Sequence, residues 1–256
     1  MTKNTQKPLV SIILPVFKSE EYLEDCLKSL SNQTYKNIEI VAVVDYLGDN
    51  SLKILRNFKK KDPRIKIHKH IQRYGLASTL NRCITLSKGR FIAFMDPVNV
   101  ANPARISKQV KFLLANEKIA AVGSQTKLIN DKGRRIGSAN YPLLNDDIQK
   151  ELISAKSMKF ETALIDRTRL PKDILRFKKG THYPFVYVDV FMKIIQYKEL
   201  ANLAEELVFK REIIKQDKQL INLKKKFTFF KLLFDSTTNY EYKPSIRSLV
   251  SPIIRQ

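Results

Sequence analysis

Along the first 115 residues, solid apolar runs take turns with stretches that are greasy on one side only. The solid runs are residues 9–15, 38–45, 65–68 and 91–95. Four to eight apolar positions without alternation fit parallel strands buried on both faces. Between them the spacing changes to three and four. In residues 19–30, Tyr22, Leu23, Cys26, Leu27 and Leu30 fall on one helical face. Ser19 stands at the N-cap of that expected helix, with Glu20 and Glu21 in its first turn. Residues 49–58 repeat apolar positions at 52, 54, 55 and 58, after capping residues. Residues 75–87 form a third helix with Leu76, Leu80, Cys83, Ile84 and Leu86 inward. A basic residue and then a glycine, Lys88-Gly89, closes it in the manner of a C-cap. Asn102 and Pro103 open a fourth, to residue 115.

Strand and helix alternating at this spacing predict an α/β fold. The expected form is Rossmann-like, with a mainly parallel central sheet, flanking helices and right-handed crossovers. Ligands of such sheets bind at the carboxyl ends of the strands. Those ends are residues 15–17, 44–46, 68–74 and 95–97. Farther on, residues 120–129 and 134–137 flank a turn at Gly133 and predict a hairpin. Residues 145–153 and 185–195 read as helices. From residue 210 onward lysine and arginine far outnumber the acids, and residues 223–234 mix Lys with Phe and Leu at helical spacing. That mixture suits a helix lying on a membrane surface, or one packing its apolar side on the domain.

Composition narrows the classes. The chain has 256 residues, 43% of them hydrophobic, enough for one large core. Its formal net charge is +22 and its pI about 9.9, which favours polyanions such as nucleic acid, anionic lipid or phosphorylated substrates. No helix-turn-helix, RNP or OB signature accompanies the charge, so no specific nucleic-acid partner is expected. No apolar run is long enough to span a membrane, and the first residues carry no secretory h-region. The expectation is a cytoplasmic protein, peripheral on the inner face of the membrane. Cys26 and Cys83 read as reduced thiols, and His68 and His70 as surface residues. No GxGxxG and no P-loop occur, so a dinucleotide cofactor is not expected.

With these elements in place, the sequence resembles the family 2 inverting glycosyltransferases, which have the glycosyltransferase-A fold. Val10 through Phe17 is similar to that family's opening "VSIIIPVYN", and the segment from Tyr22 to Ile40 to its "YLEECLDSLLNQTYKNIEI". Gly75 through Arg82 resembles "GLAASLNRG", and Lys88 through Asp96 resembles "KGEYIAFMD". The likeness runs over about residues 8–140. It implies a nucleotide-sugar-binding half at 1–140, an acceptor-side half of the same domain at 141–209, and a basic aromatic helical tail at 210–256. The implied partners are a nucleotide-diphosphate sugar and a glycan or lipid-linked acceptor in polysaccharide biosynthesis, with peripheral contact to an anionic membrane.

The family's site carries over residue by residue. Pro15, Val16 and Phe17 would lie against the nucleobase. Asp45 corresponds to the second base-binding aspartate of "VDDGS", whose first is Val44 here. Asn81 and Arg82 would line the sugar or diphosphate. Asp96 is the first aspartate of D-x-D and the one carboxylate that would hold Mg²⁺ or Mn²⁺, because the second is Val98. Asn99 would offer one neutral amide oxygen. The family's catalytic base falls on Tyr187, a poor base near neutral pH, which leaves Asp189, or Glu161, for that role. Two functional readings stand: an active transferase with a divergent site, and an inactive binding or partner subunit of the same fold.

Overall fold

The computed structural model describes residues 7–46, 48–181, 183–212 and 219–240, and beyond them Tyr242, Pro244, Ser245 and Leu249. Four parallel strands head the chain: β1 (Val10–Val16), β2 (Ile38–Val44), β3 (Ile65–Lys69) and β4 (Phe91–Phe94). The helices α1 (Leu23–Ser31), α2 (Ser51–Lys61) and α3 (Leu76–Leu86) connect them. After β4 come β5 (Val100–Ala101), α4 (Arg105–Ala115), β6 (Ile119–Ile129), β7 (Arg135–Ala139), α5 (Asn145–Lys150), β8 (Leu164–Asp166), α6 (Phe185–Ile194), β9 (Glu199–Arg211) and α7 (Gln219–Asn239). The sheet order is β3-β2-β1-β4-β8-β6-β9-β5, with β7 added on β6. Strand β8 runs antiparallel to both β4 and β6, so it joins the parallel half to the rest.

Period-two alternation explains why both faces of the sheet are covered. Val10, Ile12, Leu14 and Val16 of β1 point to the side of α1, α2 and α4, whereas Ile13 points to the side of α3, α6 and α7. Strands β2 and β4 divide in the same way, and every residue of β2 and β4 is buried. Each fully buried Ile, Leu or Val contributes about 1.5–3 kcal/mol relative to exposure. The chain lays down β1, β2 and β3 in one direction and then returns to place β4 on the other side of β1. The strand order therefore reverses beside β1, and a crevice opens there at the carboxyl ends.

Several local expectations need correction. Helix α1 begins at Leu23, not at Ser19. The Ser19 hydroxyl donates to the Phe17 carbonyl at 3.0 Å, and its own N–H donates to Ser51 Oγ at 3.2 Å. Its hydroxyl thus serves the preceding turn and not the helix. Glu20 serves the neighbouring helix instead, accepting from the N–H and the side-chain amide of Asn50, both at 2.9 Å. Gly89 is not a left-handed cap. A Cβ there would meet the Ser11 N at 2.6 Å and the Leu9 carbonyl at 2.8 Å, so close approach to β1 requires the glycine. His70 is 7% exposed rather than on the surface. The hairpin at Gly133 stands as expected, with Gly133 at φ 77°. Both cysteines are free and buried.

Lys210 and Arg211 lie in β9 and so belong to the sheet. Within the expected basic aromatic helix, Phe229 and Leu232 pack into the core on α6 and the turn of residues 152–154. The side chains of residues 223–226 and the segments 213–218 and 250–256 lie outside the described residues.

Candidate functional site

The strand ends of β1, β2 and β4 open into a cavity of about 600 Å³. Pro15, Val16 and Phe17 line it from β1, Asp45 from the end of β2, and Phe94, Met95 and Asp96 from β4. Five of the residues singled out in the sequence, the first three with Asp45 and Asp96, therefore meet in one place. Arg73 and Lys18 join them at the mouth. The Arg73 guanidinium lies 4.5 Å from the Phe17 ring centre, and the Lys18 ammonium 5.3 Å from that of Tyr46. The rings of Phe17 and Tyr46 meet edge-on at 5.6 Å. An aromatic shelf with cations beside it suits a flat base bearing phosphates.

Asp45 holds this end together. Its two carboxylate oxygens accept the N–H groups of Tyr74 and Gly75, each at 2.8 Å. That fixes the loop carrying Arg73, which turns at Gly75 with φ 81°. His70 packs behind, its ring 4.9 Å from that of Tyr74 and its Nε2 4.0 Å from Asp45. Burial lowers the His70 pKa; Asp45 opposes the shift and Arg82 adds to it, so the ring is held neutral.

Asn81 and Arg82 do not line the cavity. The Asn81 amide bonds the Phe177 backbone in both directions, at 2.8 and 2.9 Å, and Arg82 lies 3.2 Å from His70 Nδ1. Asn81 lines a second cavity, and Arg82 is exposed, so neither stands in the cavity that holds Asp45 and Asp96.

Asp96 ends β4. Its Oδ1 accepts the Val98 N–H at 3.1 Å, and its carbonyl accepts from Asn99 N at 3.1 Å and from the Cys26 thiol at 3.7 Å. Asn99 does not face the cavity. It is 2% exposed, and its amide oxygen accepts the Arg211 N–H at 3.0 Å. Arg211 also donates through Nε to the Val98 carbonyl at 3.1 Å and through Nη1 to that of Asn130 at 2.9 Å. Its guanidinium lies on the Tyr22 ring at 4.3 Å. Among the described residues no group of three or more His, Cys, Asp or Glu gathers to bind a metal. The donor set fits a hard divalent cation in one form only: a single carboxylate from Asp96, with the remaining oxygens coming from a diphosphate and water.

Beneath this floor Arg105 is fully buried. It donates to the Phe94 carbonyl at 2.8 Å and to Gln109 at 3.2 Å. Burial lowers its pKa to about 10, which leaves it charged at neutral pH. A fixed positive charge therefore underlies the strand end that carries Asp96.

Phe160, Glu161, Tyr183 and Tyr187 also line this cavity, with the Phe160 ring 3.7 Å from that of Phe94. Tyr187 stacks on Phe160, ring centres 3.7 Å apart at 13°, and Tyr183 meets Tyr187 edge-on at 5.7 Å. The phenol of Tyr183 is raised well above its ordinary value, first by the Glu161 charge. Burial, followed by Asp96, does the same for Tyr187. Both therefore remain protonated and act as donors, not bases. Glu161 sits on a short 3-10 turn, residues 160–162, and is 7% exposed. It is the carboxylate that these four residues present to the cavity.

Asp189 is placed elsewhere. Two residues beyond Tyr187 on α6, it points away from Asp96 into a second cavity of about 690 Å³. There it pairs with Lys193 at 2.6 Å and Lys178 at 3.2 Å, and accepts from the Tyr240 hydroxyl at 3.2 Å. Asp189, expected as the base, thus lies outside the lining of the cavity that holds Asp96. Lys18, Arg73 and Tyr183 were not anticipated. Lys18 and Arg73 do fall at or within the strand-end segments 15–17 and 68–74, where a basic residue was itself the signal. Tyr183 has no comparable signal.

The sequence model of glycosyl transferase family 2 matches residues 11–181. An uncharacterised glycosyltransferase of Haemophilus influenzae is 30% identical over 247 residues, which is 93% of this chain and 76% of that protein. The O-antigen biosynthesis glycosyltransferase WbnJ of Escherichia coli is 31% identical over 137 residues, 52% of each chain. Among solved structures, S. aureus TarS 1–349 in complex with UDP superposes with a TM-score of 0.70 at 17% identity, covering 91% of this chain and 67% of that one. The mannosyltransferase PcManGT from Pyrobaculum calidifontis, in complex with GDP-Man and Mn²⁺, gives 0.69 at 16% identity, covering 97% and 68%. At these identities the two structures speak to the fold, a Rossmann-like α/β sheet with flanking helices.

Proposed function

This chain belongs to glycosyl transferase family 2, and on that premise we propose that it moves a sugar from a nucleoside-diphosphate donor to a hydroxyl of a glycan or lipid-linked acceptor. One observation carries the reading. A single cavity is lined by the cations Lys18 and Arg73 beside Phe17, by Asp96, and by the carboxylate Glu161. The shelf of Phe17, Tyr46, Lys18 and Arg73 takes the base and phosphates. Asp45 keeps Arg73 in place through the loop it anchors.

Glu161 is the base. Its carboxylate takes the proton of the acceptor hydroxyl while that oxygen bonds to the anomeric carbon, and the bond from that carbon to the diphosphate oxygen breaks on the opposite side. The leaving electron pair stays on the diphosphate and the anomeric configuration inverts. Asp96 would hold Mg²⁺ or Mn²⁺, which when bound neutralises part of the charge on the departing diphosphate. Arg105 lends fixed positive potential from below, and Tyr183 and Tyr187 present O–H donors and ring faces to sugar. The reading as an inactive subunit loses its main support once Glu161 stands in the cavity, because a carboxylate is present although the family's position holds Tyr187. Relatives that act in O-antigen biosynthesis support a role in polysaccharide assembly. An acceptor carried on a lipid at the inner face of a membrane suits the +22 charge.

The test is a calorimetric titration with UDP-, GDP- and dTDP-sugars, with and without Mn²⁺, followed by turnover with the donor that binds. Metal-dependent binding of one donor is the expected result. Absence of binding by every donor would overturn the reading.

A further inference from the structure

Helix α6 separates two cavities: Tyr187 lines the first and Asp189 the second. The floor of the second is electrically settled. Asp189 pairs with Lys193 and Lys178, and Lys178 reaches Asp235 at 3.2 Å. Its rim is not. Arg176, Lys179 and Lys231 line it against one further carboxylate, Asp173, so the cations are in excess, and the three form no ion pair among the described residues. Helix α7 borders the same opening with a divided surface. Phe229 and Leu232 face the core at 2% and 4% exposure, whereas Phe227, Phe230 and Phe234 are 75%, 55% and 69% exposed. These three stand at i, i+3 and i+7, which places them on one stripe, and Phe227 reaches the rim itself. No helix among the described residues is long and apolar enough to cross a membrane.

Uncompensated cations and outward phenyl rings on one face make two demands of a partner. Rings call for an apolar medium and the cations for fixed anions at its edge. We propose that this face docks on an anionic phospholipid bilayer, with the three phenylalanines in the acyl boundary and Arg176, Lys179 and Lys231 on headgroup phosphates. Duplex nucleic acid would satisfy the cations and leave the rings in water. A second copy in a two-fold contact would cover the rings and set like charges against each other. The proposal does not depend on the transfer reaction; taken with it, the face would hold the enzyme where a lipid-linked acceptor lies.

Co-sedimentation of the full chain with phosphatidylcholine vesicles, with and without phosphatidylglycerol, tests it. Partition is expected with the anionic vesicles and is expected to fall as salt rises. Phe227→Ser/Phe230→Ser/Phe234→Ser and, separately, Lys179→Glu/Lys231→Glu should each weaken it by about tenfold or more. Both variants alter exposed side chains, so circular dichroism and calorimetric donor binding should match the parent. Three results would overturn the proposal: no partition of the parent; full partition of the phenylalanine variant, which would assign the effect to net charge alone; or a dimer that the phenylalanine changes dissolve while vesicles stay bare.

Discussion

At the end of the first cavity proposed for the donor, Pro15, Val16, Asp45 and Asp96 stand where three parallel strands stop. At the end proposed for the acceptor, Glu161 comes from a 3-10 turn, Tyr183 from a loop and Tyr187 from α6. Main-chain register sets the first group, so a residue there cannot move without moving a strand. Side-chain packing sets the second, and there a carboxylate can change elements while the space it serves persists. The departure at Tyr187 and the presence of Glu161 fit that contrast. At the strand ends Val98 stands where the resemblance expects a carboxylate, and Asn99 does not replace it because its amide oxygen is turned to Arg211.

The largest expected effect tests the acceptor end. Glu161→Gln should lower kcat by about 10²–10⁴-fold while leaving donor affinity from calorimetry unchanged. Loss of donor affinity with kcat intact would put Glu161 on the wrong side of the comparison. Next in size is the seam between the halves. Asp166 at the end of β8 is fully buried and holds Arg90 at 2.7 Å and Arg169 at 3.2 Å. Asp166→Asn should cost about 3–5 kcal/mol of unfolding free energy by denaturant titration. Burial alone would raise this carboxyl, but Arg90 and Thr168 outweigh it and hold the pKa below the ordinary value. The folded state therefore binds this proton less readily than the unfolded one. The stability it gives is complete above about pH 4 and is lost as pH falls through the depressed folded value. The Asn variant should flatten that acid limb. The smallest effect concerns the donor end. Asp45→Asn keeps one acceptor oxygen for two N–H groups, so about 1–3 kcal/mol should be lost, shared between stability and donor binding. Donor affinity untouched by this change would separate Asp45 from the site.

The parallel half could be read in the sequence because its strands are buried on both faces, and a run as apolar as residues 38–44 fits little besides a buried strand. The strand ends then located Phe17, Asp45 and Asp96 without further information. Helix starts were less legible: Ser19 and Glu20 have the right chemistry for a cap, yet the Ser19 hydroxyl turns back to Phe17 and the Glu20 carboxylate serves Asn50, thirty residues away. The same holds for Asn81, whose amide matches a backbone 96 residues on. Asp189 is singled out by resemblance alone, because the family's base position falls on Tyr187, and resemblance along α6 does not say which cavity each of its faces meets. Tyr183 belongs to irregular backbone, where no period exists to read.

Arg211 has a consequence for the thermodynamics of donor association. It ties the Val98 carbonyl, the Asn99 amide and the Asn130 carbonyl together at the end of β9, and lies over Tyr22. The conformational entropy of the Asp96 loop is therefore lost when the chain folds, not when substrate arrives. A loop already ordered in the empty protein adds no folding transition to binding. The heat-capacity change of association should then track the apolar surface of the ligand and shelf alone, without the large negative excess that accompanies coupled ordering.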